Sequence, residues 1–309
     1  MRPSGIGGQA VLEGIMMKNA SQYAIAVRKP DGEIAVDKQE YHSKTEQYKW
    51  MAKPVIRGVV SFVESMVLGM KTLTWSASFI EEDTKEPSAF EKKLTKIFGE
   101  KLESIMMGFT VAFSVVLAVA IFILLPFGIA SLLGRVVASD AVRNLIEGLL
   151  RIVIFIGYVL IISRMEDVRR VFMYHGAEHK CINCIENGLE LTVDNVAAQT
   201  TRHKRCGTSF MLYVIVISAI FFMFIRVEHV LLRMVFRILL IPVIAGVSYE
   251  LIKLAGRSEN KLIDLVSRPG LWLQSLTTKE PERDMIEVAI RAVEEVFDWR
   301  TFLAEEKQS

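Results

Sequence analysis

The sequence predicts a mainly α-helical, polytopic membrane protein with about four transmembrane helices and a small α+β cytoplasmic part containing an N-terminal β-hairpin. Hydrophobic residues make up 51% of the 309 residues. The mean hydropathy of +0.34 is high for a soluble protein of this size. Four long apolar runs, separated by charged breaks, account for this excess. Turn-forming residues between two short alternating segments near the N-terminus account for the hairpin.

The near-balance of charge argues against a nucleic-acid-binding protein. The 37 Lys and Arg residues against 35 Asp and Glu leave a formal net charge of +2, whereas nucleic-acid binding calls for a basic excess. The 3 cysteines are few and odd in number, which argues against a disulfide framework and fits a reducing compartment.

The hairpin is expected within residues 23–36. Apolar residues alternate over 23–27, residues 29–32 read Lys-Pro-Asp-Gly, and a second apolar segment follows at 34–36. Pro presets φ and Gly accepts positive φ, so this tetrapeptide favours a tight turn. The Gly-rich start, residues 5–14, is interpreted as a loop packed on the cytoplasmic core. A phosphate-binding loop is the weaker alternative, because the Lys-Ser/Thr ending is missing.

Residues 55–80 are apolar but carry Arg57, Glu64 and Lys71 on one helical face. Three charges near the middle of a lipid-exposed span are expensive. We therefore expect an amphipathic helix that lies in the membrane interface or packs on the spans. The charged and polar residues after it form a linker or a surface helix.

The four apolar runs are 105–133, 145–163, 209–225 and 231–255. A helix needs ~20 residues to cross ~30 Å of hydrocarbon. The third run lies at the lower limit of this length, and the other three meet it.

Basic residues orient the predicted spans. The segment 164–208 contains seven of them, whereas the opposite loops contain Arg135, Arg143 and Arg226. The positive-inside rule then places 164–208, and with it both termini, in the cytoplasm. The tail at 281–303 keeps helical apolar spacing and is interpreted as a packing helix of the cytoplasmic part.

The chain thus divides into six regions. They are a cytoplasmic Gly-rich loop and hairpin (1–54), an amphipathic helix and linker (55–104), spans one and two (105–163), a cytoplasmic loop (164–208), spans three and four (209–255) and a cytoplasmic C-terminal region (256–309).

The first chemical motif is His175–His179, which reads H-x-x-E-H with Glu178 as its carboxylate. Histidines four apart share a helix face and can present two imidazoles to one cation. The pattern is the inverted form of the zincin motif, in which the Glu acts as general base. The alternative is ordinary: the histidines hydrogen-bond carbonyls, and Glu178 pairs with Lys180 or Arg205.

A second cluster reads Arg-His-Lys-Arg-Cys over 202–206. His203 and Cys206 offer nitrogen and sulfur, both suited to Zn²⁺. A site of His175, His179 and His203 with an open position fits catalysis, whereas Cys206 as a fourth ligand makes the site structural.

Glu250 lies deep within the fourth run, so a functional role as a further metal ligand competes with a salt bridge to Lys253. Cys181 and Cys184 form a C-x-x-C for which metal and redox roles compete with incidental buried thiols, the interpretation we prefer.

Several motifs together resemble the YqhQ-type family of bacterial membrane proteins, domain of unknown function 1385. They are GGQAVLEGIMMK at 7–18, YHGAEHK at 174–180, RCGTSF at 205–210, YE at 249–250 and PGLWLQSLTTKEP at 269–281.

The resemblance implies a predicted metal-dependent enzyme in the bacterial cytoplasmic membrane. It marks seven positions for testing: His175, Glu178, His179, His203, Arg205, Cys206 and Glu250. Lys204 departs from the family, which usually has Pro there, and Cys181 is atypical as well.

Two functions from different classes follow. The first is an integral membrane protein with a cytoplasm-facing Zn²⁺ site held by His175, His179 and a third ligand from His203, Cys206 or Glu250. Glu178 would be its general base, and Arg205 would stabilise developing negative charge, as in a metal-dependent hydrolase.

The second is a non-enzymatic scaffold or assembly factor that engages the protein translocon or client membrane proteins through a polar cleft. A transporter is disfavoured by the small number of spans and the absence of an inverted repeat.

Overall fold

A computed structural model describes residues 3–80, 102–133, 139–225, 227, 229–255 and 260–306 of the protein. The predicted linker at 81–101 and the loop residues Arg135 and Arg226 lie outside this part. In the described residues, helices form most of the chain, and four strands form one antiparallel sheet near the N-terminus.

The sheet has the order β1-β2-β3-β4, with β1 Gly7–Val11, β2 Gly14–Asn19, β3 Gln22–Arg28 and β4 Ile34–Glu40. The predicted hairpin is β3 paired with β4, turning at residues 29–32. The interpretation of residues 5–14 as a loop was wrong, because they contribute β1 and the start of β2.

Strand β1 was not predicted from the sequence because glycine has a low propensity for β-strands. A side chain at Gly8 would lie 2.6 Å from Met17 Sδ and 2.8 Å from Met16 O. The glycine is therefore required by a close approach, and it marks a strand rather than a loop.

The first helices flank the sheet. Helix α1 spans Lys44–Gln47, and α2 spans Ile56–Ala77. One face of the sheet packs on α2, with Val11, Met16 and Tyr23 buried around Leu68. The opposite face, which includes Ile15, packs on helices from the second half of the chain.

The long apolar segment that follows is one continuous helical stretch, built from α3 Leu102–Val119, a π-helical turn Ala120–Leu124 and α4 Leu125–Leu133. Helix α5 is Asp140–Ile162, α6 Glu166–Glu186, α7 Val193–Ala197, α8 Gly207–Met223 and α9 Val230–Ala255. The chain continues as α10 Lys261–Thr277, α11 Arg283–Val296 and α12 Trp299–Glu306.

Among the described residues, three helices are long and apolar enough to cross a membrane, and not the four that the sequence predicted. They are Ile105–Leu133, Val142–Ile162 and Leu231–Ala255. The remaining apolar helix, Gly207–Met223, has 17 residues. At ~1.5 Å per residue it covers ~26 Å, short of the ~30 Å of a bilayer core.

Three charges inside these apolar helices are paired with one another. Glu147 on α5 accepts hydrogen bonds from Arg151 on the same helix and from Arg237 on α9. Arg151 also donates to Ser218 on α8, and both guanidinium groups stack on Phe222. The cluster joins three apolar helices through groups that are individually expensive to bury.

Helix α2 packs on α9 at glycines. A side chain at Gly246 would lie 2.5 Å from both Cγ1 and O of Val55, and one at Gly58 would lie 2.8 Å from Tyr249 Cβ. Arg57 pairs with Glu250 beside this contact, with Nε 2.7 Å from Oε1. The first charge of the predicted amphipathic helix is thus anchored on α9.

Replacing Gly246 with Ala is expected to lower the free energy of unfolding by roughly 1–3 kcal/mol, because the methyl group must displace the Val55 backbone. Denaturant unfolding of the purified protein measures this. Gly157→Ala on α5 is the control, because a methyl group there meets no atom within 4 Å and Ala favours a helix. Equal effects of both substitutions would contradict the tight α2–α9 contact.

Candidate metal centre

Helix α6 carries the H-x-x-E-H motif and is buried along most of its second half, from Tyr174 to Ile185. Ala177, Cys181 and Ile185 pack into the core formed with the sheet and α11. His175 and His179 lie one turn apart on a second face, with ring centroids 4.5 Å apart. The regular helix therefore brings the two imidazoles together, as their spacing predicts.

Both imidazoles are oriented by backbone carbonyls. His175 Nδ1 lies 3.0 Å from Thr277 O, and His179 Nδ1 lies 2.6 Å from Thr201 O. A carbonyl only accepts, so each Nδ1 carries the proton and each Nε2 keeps a free lone pair. Burial lowers the pKa of His179, which keeps this ring neutral at neutral pH. This is the arrangement of a metal-ligating histidine.

Cys206 supplies the third donor atom. It is the N-cap residue of α8, where Thr208 N donates to its Sγ at 3.3 Å. The same Sγ lies 3.2 Å from His175 Nε2. One donor atom from each of His175, His179 and Cys206 lies within 4.8 Å of the others. A tetrahedral zinc ion holds its ligands roughly 3.3–3.8 Å apart. Cys206 Sγ and His175 Nε2 are already at about this spacing, and the widest pair needs to close by at most roughly 1–1.5 Å.

Glu178, on the same helix as the two histidines, lines the same space. Its Oε1 accepts a hydrogen bond from Gly8 N at 2.9 Å. Its Oε2 is buried and has no hydrogen-bond partner in the part of the chain that the structure describes. Burial raises the pKa of this carboxyl group, against the opposing influence of His175. A buried carboxyl oxygen with no partner is rare, and it points to a role in binding or catalysis.

These groups line a cavity of about 110 Å³. His175, His179, Cys206 and Glu178 form its walls with Arg205, and residues 6–8 close the remaining side. Since a water molecule occupies ~30 Å³ of liquid, the space accommodates an ion with two or three waters. Only a small chemical group fits inside this cavity, and the rest of a larger molecule has to remain at its opening.

Glu186 was missed by the sequence reading, and it organises the rim of the cavity. It accepts hydrogen bonds from N and Oγ of Ser4, both at 2.8 Å, and forms an ion pair with Arg205. His203 Nε2 lies 3.5 Å from its second oxygen. A signal existed: Glu186 lies eleven residues after His175, about three helical turns, and so shares its face.

The charge of Glu186 is strongly stabilised. Burial opposes ionisation, but hydrogen bonds from His203 and Ser4 and the charge of Arg205 lower the pKa of Glu186 from its usual 4.5 to about 2. This carboxylate is therefore ionised at neutral pH, where it holds Arg205 and the N-terminal segment at the cavity.

His203 and Glu250, the other ligands that the sequence proposed, lie outside the donor group. The His203 ring lies 5.7 Å from the His179 ring, and its Nε2 faces Glu186. Its backbone is clamped by Gln274, which accepts from His203 N at 2.9 Å and donates to His203 O at 2.8 Å. Glu250 pairs with Arg57 instead and does not line the cavity.

The C-x-x-C thiols belong to the core. Cys181 and Cys184 are both buried in the cluster around α6, and burial raises the pKa of each thiol. A raised pKa suppresses the reactive thiolate form. This agrees with our preferred interpretation of both as buried structural residues.

Comparison with known proteins assigns the family. The description "Protein of unknown function (DUF1385)" matches residues 53–299. The chain belongs to the DUF1385 family. It is also 34% identical over 297 residues to a protein of Bacillus subtilis (strain 168) described as "Uncharacterized protein YqhQ", covering 95% of this chain and 92% of that protein. No solved structure matches the chain.

The DUF1385 match confirms the family resemblance read from the sequence motifs. The family description names no activity, so metal-dependent catalysis does not follow from membership. It has to be argued from the cavity and the donor atoms of this chain.

Glu186→Gln is expected to destabilise the protein at neutral pH by roughly 3 kcal/mol at most, the equivalent of the depressed pKa. A carboxyl group with a lowered folded-state pKa stabilises above its unfolded-state pKa, and this contribution is lost as the pH falls through the folded-state value. The difference from the wild type should therefore shrink between pH 4.5 and about 2. Unfolding free energies across this range test it.

Glu190→Gln, at an exposed position on the segment that follows α6, is the matched control and should change stability little at any pH. A Glu186→Gln deficit that stays constant from neutral pH to about pH 3 would contradict the role of the ionised carboxylate.

Proposed function

We propose that this DUF1385 protein is an integral membrane protein with a zinc site that faces the cytoplasm and performs hydrolysis. The ligands are Nε2 of His175, Nε2 of His179 and Sγ of Cys206. The observation that carries the proposal is the convergence of these three donor atoms within 4.8 Å of one another. Two carbonyls preset the histidine tautomers for it.

The donor set favours zinc. Imidazole nitrogen and thiolate sulfur are the ligands that Zn²⁺ combines in proteins, and three protein ligands with an open fourth position are typical of catalytic sites. The closed structural site considered from the sequence needs a fourth protein ligand. His203, its candidate, turns its Nε2 toward Glu186, which supports the open site.

Bound zinc would supply Lewis-acid chemistry to a substrate carbonyl and to water. Glu178 Oε2, which has no partner among the described residues, takes the proton from the attacking water. The raised pKa of this group suits a base that must accept the proton and then deliver it to the leaving group. The Gly8 amide fixes its other oxygen, so the base has one orientation.

Arg205 stabilises the negative charge that develops on the substrate oxygen during hydrolysis. It lines the cavity, and Glu186 holds its guanidinium in place. A positioned cation in a small, water-poor space stabilises a tetrahedral oxyanion more strongly than it would in water.

The membrane placement rests on the three long apolar helices and on the basic residues of 164–208. Cys206 caps the first turn of α8, so the metal centre lies where this apolar helix begins. We place the site at the cytoplasmic boundary of the bilayer, with both termini in the cytoplasm of a bacterium. This topology requires Gly207–Met223 to cross as a fourth, short span. The packing of α11 on α6 and the N-terminal sheet supports placing both ends of the chain on one side.

The scaffold hypothesis needs a polar cleft open to a translocon subunit or client. Its key carboxylate, Glu250, is bound to Arg57 and to the backbone of Val55. The metal centre, in contrast, retains a buried carboxylate oxygen without a partner in the described residues. The enzyme is therefore the function we propose.

Zinc analysis of the purified protein is expected to find about one ion per chain in the wild type and almost none in His175→Ala/His179→Ala, because two of three ligands are lost. His229→Ala is the control, since His229 is exposed and outside the cavity. Equal, substoichiometric zinc in the wild type and the double variant would refute the site.

Substitution with Co²⁺ separates the ligands. The wild type should show thiolate-to-cobalt charge-transfer absorption, and Cys206→Ser should lose this absorption while its imidazole ligands remain. Charge transfer that survives in Cys206→Ser would assign the thiolate to another cysteine.

Glu178→Gln tests the chemistry. It is expected to keep stoichiometric zinc and to lower hydrolysis of ester and peptide substrates by roughly 10²–10⁴-fold, the usual contribution of a general base. Glu190→Gln serves again as the control. Unchanged hydrolysis in Glu178→Gln, or translocon subunits that co-purify stably with both proteins in the absence of any turnover, would favour the scaffold.

A further inference from the structure

A second concave site lies on the opposite face of the N-terminal sheet from the metal centre. It is a groove of about 540 Å³ between α2 and the segment that follows β4. Its apolar wall is one face of α2, formed by Val59, Val60, Val63, Val67 and Leu68. A mainly apolar pocket of this size, with a few polar groups, is typical of small-ligand sites.

The groove lies beside an apolar helix. The lining of the groove on α2 begins at Val59, one residue after Gly58, the point at which α2 packs on α9. Val63 and Val67 on its wall are 52% and 65% exposed, so the wall continues onto the open surface. Tyr48 and Trp50, which precede α2, are also exposed. Exposed aromatics beside an amphipathic helix are typical of the membrane interface.

The volume limits what the groove can hold. A client helix is ~10–12 Å across with its side chains, so it needs a much wider groove than a single extended chain does. A single acyl chain is narrower and follows a groove of this kind. A helix at the membrane interface is surrounded by lipids, so a lipid is the ligand within reach of this groove.

One side of the groove is polar and carries two lysine ammonium groups. Lys44 and Lys71 line it and are exposed. Lys71 donates to Tyr23 Oη and Gln39 Oε1, which leaves one of its three N–H groups. The carboxylate of Glu64 already accepts from Tyr41, Ser43 and the Lys44 amide. Glu40, the other carboxylate of the lining, lies with its Oε2 3.7 Å from His42 Nε2. The two ammonium groups are therefore left to complement a phosphate.

We propose that this groove binds one membrane phospholipid, with an acyl chain along the valines of α2 and the phosphate at Lys44 and Lys71. The inference rests on the proposed membrane placement, and it is independent of zinc. Zinc retained without bound phospholipid contradicts the groove alone, and phospholipid retained without zinc contradicts the metal centre alone.

Native mass spectrometry of the full chain, purified in detergent and mixed with phosphatidylglycerol, tests the groove. Val63→Trp fills it with a larger apolar side chain. Met66→Trp is the matched control, because Met66 lies on the same helix and is 54% exposed but does not line the groove. The wild type and the control should retain one phospholipid, and Val63→Trp should bind it at least about tenfold more weakly.

The phosphate contact has its own pair of variants. Lys44→Glu should weaken phosphatidylglycerol binding by about tenfold, and Lys49→Glu, exposed just beyond α1, should not. This pair keeps the test decisive if Val63→Trp fails to fold. Diacylglycerol with the same acyl chains should bind more weakly than phosphatidylglycerol.

Three results would overturn the proposal. They are equal phospholipid retention in Val63→Trp and Met66→Trp, diacylglycerol bound as tightly as phosphatidylglycerol, and a co-purifying peptide in place of lipid that Val63→Trp displaces. The last result would assign the groove to a protein segment.

Discussion

The hydrogen bond from Gly8 to Glu178 joins the first strand of the sheet to the helix that carries two of the three candidate metal ligands. It fixes one carboxylate oxygen at 2.9 Å from the backbone and leaves the other facing the cavity. Because Gly8 has no side chain, α6 can approach the strand closely enough for this contact. The cavity, its depth and the direction of the carboxylate all follow from that approach.

Two carboxylates on one helix acquire opposite properties from their surroundings. Glu186 receives several donors and a guanidinium, so it stays charged and holds the cavity rim together. Glu178 receives one backbone donor and is otherwise buried, so its proton affinity rises. Divergent environments of this kind separate structural from reactive carboxyl groups in proteins. Here the separation arises within about two helical turns.

Periodicity along the chain was enough to predict part of the centre. The spacing of His175, Glu178 and His179 determines how they project from a helix, and α6 is a regular helix. The position of Cys206 near them was expected only as convergence of two motifs. Cys206, and not His203, lies with the two histidines because Gln274 holds the backbone of His203 through two hydrogen bonds. This contact joins residues far apart in the sequence, so no local pattern predicts it.

The fold shows the same division between local and long-range information. The β3–β4 hairpin was predicted because its turn residues are specific. Strands β1 and β2 were missed, since their glycines serve contacts with Met17 and Ala26 that only the assembled sheet reveals. The pairing of Arg57 with Glu250 was also invisible, although each was recognised as a charge that needs a partner.

Strand β1 presents successive residues to the two sides of the sheet. Gly8 meets Glu178 on the side of the metal centre, and the Gln9 amide fills the space above Gly69 on α2. A shift of one residue along the strand would exchange these faces. It would place a glutamine where only a glycine fits and leave a gap on α2. The register of the first strand is therefore fixed by contacts on both faces of the sheet. Inserting or deleting a single residue within this strand should disrupt the contacts on both faces together.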